Sequence, residues 1–259
     1  LFTCTLMAID VDTGEMAWYF QTSPHDTHDW DSAQTPILID GVIDGKPRKL
    51  VSTAARNGFF FTLDRVTGEH LLTRQFGKTA NWSKGLRKNG QPDPDPEKSA
   101  IVPGALVSPM EGGVTNWQAP AFNPELSLFY VPESNSFNIL YLTDTDPRGS
   151  MGLGGKRWFI NGFESNALQA IDYRTGKPAW RREWPQGASI GTGLLTTASG
   201  LLFSGDGNGN FLALDAKNGD ILWHTRIGNI TNAPQTFDID GRQYVLVGVN
   251  DTLYSFVLY

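Results

Sequence analysis

A short stretch near the start of the chain, SPHDTHDWDSAQ, carries five ionisable side chains within seven residues: His25, Asp26, His28, Asp29 and Asp31. This density is unusual, because the whole chain of 259 residues has only 4 histidines and 19% charged residues. Histidine and aspartate side chains bind zinc, and a carboxylate in a cleft can act as a general base. A polar turn between two strands would carry the same residue types without any chemistry. The residues alone leave all three interpretations open.

The overall composition limits the classes of partner. The formal net charge is −6, which disfavours nucleic acid or an anionic membrane, because such partners need a basic face. No apolar run reaches the roughly 18 residues that span a bilayer, and no signal peptide opens the chain. The chain does not begin with Met, so we expect a processed or truncated chain. Cys4 is the one cysteine, and we expect it to be a buried structural thiol.

An internal repeat predicts the elements that must position these residues. The stretch AIDVDTGEMAW recurs as AIDYRTGKPAW and ALDAKNGDILW, with a weaker copy TLDRVTGEHLL. In each copy an alternating apolar run reaches an Asp, turns at a Gly, and resumes as a second strand. Asp can bond the backbone of such a turn, and Gly supplies its positive φ. The Trp that ends the full copies can cover a large apolar area between adjacent sheets.

The repeat length indicates the fold. One copy per roughly 40–54 residues suits a four-stranded propeller blade. We therefore predict an all-β fold, a β-propeller of four-stranded antiparallel blades with tryptophan-docking repeats, present as a partial propeller of about four blades. The sequence predicts two strands at the start, three full blades, and three strands at the end. Residues 1–259 would form a single partial domain, with long loop insertions at about 79–110 and 144–165. Its open sheet edges indicate that the chain is part of something larger.

Further candidate residues lie at the turns of this predicted propeller. Arg56 stands between the strands LVSTAA and GFFFTLD, at the inner turn of a blade, where its side chain would face the central channel. Asn250 occupies the matching turn of the last unit. Asn116 and Trp117, considered alone, would be a turn residue and a core aromatic.

Several segments in combination resemble a known family. The tryptophan repeats, followed by FQTSPHDTHDWD, AARNGFFFTLDRVTG and GGVTNWQAPAFNPELSLFYVP, look like the pyrroloquinoline-quinone (PQQ) dependent alcohol dehydrogenases, which are quinoproteins. The resemblance covers essentially the whole chain, but only about the C-terminal half of the family's eight-bladed propeller. It implies an oxidoreductase that transfers hydride from an alcohol or polyol to the quinone, with a bound cation as Lewis acid. Asp29 would be the general base and a metal ligand.

The resemblance also implies roles for the other candidates. Arg56 would be catalytic and would contact the quinone oxygens, because a guanidinium donates paired hydrogen bonds to oxygens that gain charge. Asn116 and Trp117 would lie beside the cofactor, and Asn250 is a further cofactor candidate. Asp31 resembles the added metal ligand of the lanthanide-using branch, since a trivalent ion prefers one more carboxylate. Some calcium-using relatives also have an Asp there, so calcium and a lanthanide both stay open.

The chain departs from the family pattern in places. His28 stands where many relatives have an aromatic residue, and Gly191 lies near the position of the tryptophan that stacks under the quinone. In the family a vicinal cysteine pair, the Trp opposite it, and two metal ligands all lie upstream. The chain contains none of these, and stacking on the quinone would have to differ.

The implied partners are a small alcohol or polyol and a periplasmic cytochrome c or similar electron acceptor. The implied location is the bacterial periplasm. The missing N-terminal half, or a second copy of the chain, would close the ring. The alternative, from a different class, is a noncatalytic tryptophan-repeat propeller that acts as a binding or assembly scaffold. Such a scaffold has no reason to keep Asp29, Arg56, Asn116 and Trp117 together at inner turns.

Overall fold

The computed structural model describes residues 2–144, 156–184 and 191–257. The first half of the chain forms β1 (Thr5–Ile9), β2 (Met16–Gln21), β3 (Ile37–Ile43), β4 (Lys46–Ala54), β5 (Phe59–Asp64), β6 (His70–Gln75), β7 (Ser83–Leu86), β8 (Pro92–Pro94), β9 (Leu106–Val107) and β10 (Ala121–Asn123). The second half forms β11 (Leu128–Asp144), β12 (Lys156–Asp172), β13 (Pro178–Trp184), β14 (Leu195–Thr196), β15 (Leu201–Gly205), β16 (Asn210–Asp215), β17 (Ile221–Arg226), β18 (Gln235–Ile239), β19 (Arg242–Val249) and β20 (Thr252–Val257).

The sheets follow one another along the chain as propeller blades do. Strands β3–β6, β10–β13 and β14–β17 form three blades, each with its strands hydrogen-bonded in sequence order. Strands β1–β2 form a two-stranded unit and β18–β20 a three-stranded unit, and every pairing is antiparallel. The prediction of an all-β partial propeller is confirmed, as is its count of blade strands, whereas β7, β8 and β9 were not predicted.

The apolar core lies between neighbouring sheets. The β5 sequence FFFTLD is buried at all six positions, as expected for a strand covered on both faces. Phe60 of β5 meets Phe129 of β11 edge to face at 5.1 Å, which joins the first two blades. Tyr130 of β11 packs in a cluster with Leu202 of β15, which joins the second and third.

The repeat fixes how one blade docks on the next. The indole of Trp18, in β2, donates a hydrogen bond to the Arg65 carbonyl (3.0 Å) in the turn of the following blade. A Cβ on Gly68 of that turn would lie 2.7 Å from the Trp18 ring, so the close approach requires glycine. Trp180 and Gly219 repeat this contact at the same distance. The expectation that the tryptophans lie between adjacent sheets is confirmed at these two positions.

The two predicted insertions differ in structure. Residues 79–110 contain the hairpin β7–β8, a 3-10 turn at Pro96–Lys98, and β9, which pairs with β11. The second predicted loop, 144–165, is in part strand, because β12 begins at Lys156 and pairs with β11 as far as Asp144. This pairing extends the hairpin beyond the blade, and the glycines at positions 149–155 concealed it in the sequence. Residues 145–155 of the expected loop lie outside the described residues. No helix within the described ranges is long and apolar enough to cross a membrane.

Candidate active site

The loop between β2 and β3 is organised by one of its own aspartates. The Asp26 carboxylate accepts hydrogen bonds from the His28 N–H (2.9 Å) and the Trp30 N–H (2.6 Å). The Cys4 thiol lies 3.7 Å from the same carboxylate, and burial together with Asp26 raises the thiol pKa to about 12. Between the two capped amides, Asp29 adopts a left-handed backbone conformation with φ of +68°. Asp26 is therefore the structural residue of this loop.

Two aromatic side chains attach the loop to the segment 79–110. The buried Trp30 donates its indole N–H to the Met110 carbonyl at 3.1 Å and packs at 5.0 Å from Trp82. The His28 ring stacks on Trp30 with centroids 4.5 Å apart, and its Nε2 lies 2.7 Å from the Lys98 carbonyl oxygen. Burial lowers the pKa of the His28 imidazole. Asp29 lies between these two anchored residues.

Arg56 joins the loop to a second segment of the chain. It lies in the turn between β4 and β5, and its Nη1 donates to the Asp29 carbonyl oxygen at 3.2 Å and to Asp31 Oδ2 at 3.4 Å. Its Nη2 donates to Asn116 Oδ1 at 2.9 Å. The Arg56 Nε is buried and has no hydrogen-bond partner among the described residues. One guanidinium thus connects Asp29, Asp31 and Asn116.

A glycine allows the Asn116 segment to reach Arg56. Gly113 has φ of +81°, and a Cβ there would lie 2.5 Å from the Arg56 Cβ. The Val114 N–H donates to the Arg56 carbonyl at 2.8 Å. The Asn116 side chain is fixed by its own bonds, because Nδ2 donates to the Gly112 carbonyl and Oδ1 accepts the Trp117 N–H. The two segments therefore meet backbone to backbone as well as through side chains.

Negatively charged groups outnumber positively charged ones around Asp29. Burial raises the pKa of the Asp29 carboxyl, and the neighbouring carboxylates of Asp31 and Glu111 raise it further, while Arg56 opposes them. Asp29 and Glu111 also share a side-chain hydrogen bond. Around Asp29, two further carboxyl groups are thus opposed by a single guanidinium. A site of this kind favours an added cation or a proton between the carboxylates.

The predicted site residues do not all lie together in the structure. Asp29, Asp31, Arg56 and Asn116 meet in one cluster, and Trp117 follows it with its side chain 54% exposed. Asn250 lies in the turn between β19 and β20, the position that matches Arg56, with φ of +52°. Within the described part of the chain no hydrogen bond joins Asn250 to the cluster. The chemical role of each residue stays a prediction.

Glu111 is a residue that the sequence analysis missed. It directly precedes the glycine pair of the segment that carries Asn116. A carboxylate next to glycines that allow a close backbone approach is a signal that could have indicated it. A cavity of about 320 Å³ adjoins this segment and is lined by Met110, Gly112, Asn116 and Gly191, among others. The cavity borders Gly191, the position near which the resemblance would have placed an aromatic side chain.

A complete metal site is not formed within residues 2–144, 156–184 and 191–257. They contain no group of three or more His, Cys, Asp or Glu side chains that could hold a metal ion. Any cation bound at Asp29 and Asp31 therefore needs ligands of another type or ligands from elsewhere.

Comparison with known proteins gives a consistent result. Residues 1–76 match the family model for the β-propeller domain of glucose, ethanol and alcohol dehydrogenases, and residues 164–256 match the model for the outer membrane protein assembly factor BamB. The chain is 35% identical to quinohemoprotein alcohol dehydrogenase ADH-IIG of Pseudomonas putida, covering 95% of this chain and 36% of the relative. It is 34% identical to 1-butanol dehydrogenase (cytochrome c) of Thauera butanivorans, covering 96% and 38%.

The structural comparison agrees. A europium-containing methanol dehydrogenase superposes with a TM-score of 0.85 at 30% identity, covering 96% of this chain and 45% of that one. The chain thus spans less than half the length of each of these three relatives. The strand order, the repeats and the high coverage of this chain all agree with these dehydrogenase relatives. The chain belongs to the family of PQQ-dependent (quinoprotein) alcohol dehydrogenases.

Proposed function

We propose that this chain forms part of the active site of a PQQ-dependent dehydrogenase that oxidises an alcohol or polyol, with Asp29 as the general base. One observation carries the proposal: Arg56 binds both the Asp29 segment and Asn116, and its Nε has no partner within the part of the chain that the structure describes. The names of the relatives support the class of reaction.

The orphaned Arg56 Nε fits an oxygen-rich cofactor. A buried N–H without an acceptor costs roughly 1–3 kcal/mol, so a structure that keeps one favours a ligand that accepts from it. PQQ carries quinone and carboxylate oxygens of the required kind. Arg56 and Asn116 would hold the cofactor, Trp117 would lie beside it, and Asn250 is a more distant candidate. When bound, PQQ supplies the two-electron acceptor that takes a hydride from the alcohol carbon.

The residues of this chain provide the proton chemistry. The Asp29 carboxylate takes the hydroxyl proton of the alcohol, and its raised pKa makes it a stronger base than an ordinary aspartate. Arg56 holds the Asp29 carbonyl and so fixes the orientation of the base. A positioned base contributes on the order of 10²–10⁴ in rate.

The carboxylate excess supports a bound cation. Asp29, Asp31 and Glu111 oppose a single guanidinium, and a divalent or trivalent ion would offset the remaining negative charge. The Asp31 side chain is 62% exposed and only weakly tied to Arg56, so it can turn to an ion without a large loss. A calcium or lanthanide ion would act as a Lewis acid on the oxygen that it binds.

We further propose a periplasmic bacterial location and electron transfer to a cytochrome c or similar acceptor. The name of the Thauera relative, 1-butanol dehydrogenase (cytochrome c), supports the proposed electron acceptor. The remaining blades would come from an N-terminal half or from a second copy of the chain.

The noncatalytic scaffold remains the second candidate, because residues 164–256 match the model of an assembly factor. The matched range does not contain Asp29, Arg56 or Asn116. The match therefore reflects the blade repeat rather than the site. Residues 1–76, which contain Asp29 and Arg56, match the dehydrogenase model.

The test is reconstitution of the intact protein with PQQ and either Ca²⁺ or La³⁺, followed by dye reduction with a series of alcohols. We expect turnover that depends on both PQQ and the cation. The Asp29→Asn variant should bind PQQ and turn over far more slowly. Absence of both PQQ binding and turnover in the intact protein would favour the scaffold.

A further inference from the structure

His28 lies beside Asp29 and takes no part in the contacts of Arg56. Its side chain is directed to the segment 79–110, where Nε2 lies 2.7 Å from the Lys98 carbonyl oxygen. A carbonyl oxygen only accepts hydrogen bonds, so Nε2 carries the hydrogen and donates it. The residue is 5% exposed. This bond is therefore shielded from water and joins two segments far apart in sequence.

The loop that contains Asp29 needs external support. A left-handed backbone is disfavoured for a residue with a Cβ, and Asp29 has φ of +68°. Such conformations persist where the surroundings hold them. The Asp26 carboxylate binds the amides on either side of Asp29, but all of these groups belong to the loop itself. Support from outside must come from other contacts.

The segment 79–110 provides those contacts on both sides of Asp29. Before it, the Ala100 N–H donates to Thr27 Oγ1 at 3.1 Å and His28 donates to the Lys98 carbonyl. After it, Trp30 donates to the Met110 carbonyl at 3.1 Å. Opposite them, Arg56 holds the Asp29 carbonyl. Asp29 is thus held between Arg56 and a brace made by residues 98–110.

We propose that His28 is a positioning residue, whose Nε2–H bond to the Lys98 carbonyl holds Asp29 in the backbone conformation that Arg56 binds. The inference rests on the proposed function, because Asp29 is the general base only there. It gives the segment 79–110 a role as the outer support of the site. His28 contributes through a hydrogen bond and through its stack on Trp30, and substitution can separate the two.

The kinetic test compares two variants of the intact enzyme loaded with PQQ and cation. His28→Phe keeps an aromatic ring on Trp30 and removes the donor, whereas His28→Gln keeps an N–H donor at a similar reach. We expect His28→Phe to lower kcat about tenfold to a hundredfold at unchanged KM, since small displacements of a catalytic group have effects of this size. His28→Gln should stay within about threefold of wild type. Equal kcat for His28→Phe and wild type, or equal losses in both variants, would overturn the role of the donor.

A second readout does not depend on turnover. Amide hydrogen exchange over residues 26–31 of the intact apo protein should rise about tenfold in His28→Phe and little in His28→Gln, because loss of the brace opens the loop locally. Where His28→Phe does not fold, Thr27→Val removes the neighbouring bond from the Ala100 N–H and should raise the same exchange. Unchanged exchange in the variant that folds contradicts the brace. If hydrogen exchange changes as expected but neither the wild type nor any variant shows turnover, the brace is supported and the proposed function is rejected.

A matched control is available in His70. It is half-buried, its Nε2 lies 2.8 Å from Thr73 Oγ1, and its ring stacks on Phe20 at 5.7 Å. His70→Phe removes a comparable hydrogen bond outside the Asp29 loop. It should leave both kcat and the exchange of residues 26–31 unchanged. An effect equal to that of His28→Phe would show general loosening and would overturn the positioning role.

Discussion

The aspartates of the repeat turns and the aspartate of the candidate site differ in how their charge is satisfied. In the turns the carboxylates accept backbone N–H bonds from the residues that follow, as in Asp10, Asp64, Asp172 and Asp215. The Thr13 backbone N–H holds the pKa of Asp10 below its usual value, and the Arg174 side chain does so for Asp172. The ionised forms of Asp10 and Asp172 are therefore stabilised by their turns.

Asp29 shows the opposite behaviour. Burial and the carboxylates of Asp31 and Glu111 raise its pKa, while the nearby turn amides are already bound by Asp26. A turn aspartate is therefore structural where the backbone N–H groups of the turn donate hydrogen bonds to its carboxylate. Where a neighbouring residue takes those donors, the carboxylate keeps its reactivity. Perturbed carboxyl groups of this kind concentrate at functional sites.

The largest expected effect that tests this contrast is that of Asp29→Asn in the intact, reconstituted enzyme. We expect kcat to fall by about 10²–10⁴, because a positioned base contributes this much. The folded-state pKa of Asp29 is raised, so its stabilising contribution is present at low pH and is lost as the pH rises through that pKa. Removing the charge at neutral pH should therefore not lower the free energy of unfolding of the apo protein.

Asp215→Asn is the control for that measurement. Asp215 caps its turn by accepting the Lys217 N–H at 2.7 Å and lies in a different blade from Asp29. It should leave kcat unchanged. A kcat loss in Asp215→Asn as large as that in Asp29→Asn would remove the distinction between the two classes.

The next effect is expected for Arg56→Lys. A lysine ammonium is a single nitrogen, so it cannot reproduce the planar fork through which two separate nitrogens of Arg56 donate to Asp29 and Asn116. We expect kcat to fall by about 10²–10³, the usual cost of removing one preorganised donor. Arg65→Lys, in a repeat turn where Arg65 pairs with Asp40 at 2.8 Å, should keep wild-type kcat. Steady-state dye reduction measures both, and equal rates for the two variants would refute the special position of Arg56.

A smaller effect, on stability, is expected from the docking of blades. Gly219 has φ of +78°, and a Cβ there would lie 2.7 Å from the Trp180 ring, whereas Gly14 has φ of +75° with open space around it. Gly14→Ala should lower the free energy of unfolding by about 1–2 kcal/mol through the backbone alone. Gly219→Ala should cost about 1–3 kcal/mol more through overpacking. Urea unfolding of the intact protein tests this, and equal losses would exclude a contribution from the indole contact.

The smallest effect concerns pH. The folded-state pKa of Asp172 is lowered by Arg174, so its stabilisation is present above the unfolded value of 3.8 and is lost as the pH falls through the folded pKa. Asp172→Ala should cost about 0.5–1.5 kcal/mol at pH 7 and nothing at strongly acidic pH. The exposed Asp12→Ala serves as control and should change stability by less than about 0.5 kcal/mol at any pH. A pH-independent difference for Asp172→Ala would contradict the assignment.

The fold was predictable because its signals are local. Asp and Gly stand at fixed places in each copy and Trp ends the three full copies, and the structure places Trp18 and Trp180 between sheets as expected. The end of the second insertion was not predictable, because strand Lys156–Asp172 begins directly after a Gly-rich stretch of sequence that resembles a loop. Pairing with β11, a long-range contact, decides its structure.

The site was predictable only in part. The residue types around Asp29 left zinc, a base and a polar turn open, and the resemblance to a family selected Arg56 and Asn116. Glu111 escaped because its contact with Asp29 joins segments far apart in the chain, and only the glycine pair that follows it could have indicated it. The bond from His28 to Lys98 was hidden as well, because Lys98 lies 70 residues further along in a segment without periodicity.

The reach of the docking tryptophans also sets an order of events during synthesis. The Trp18 indole binds a carbonyl 47 residues further along the chain, so its unit cannot dock until most of the next blade has left the ribosome. At 5–20 residues per second the delay is about 2–9 s. During that interval the nascent unit exposes an indole and an unpaired sheet face. We expect chaperones that recognise exposed aromatic side chains to bind the most recently completed unit of the nascent chain until the next blade has emerged.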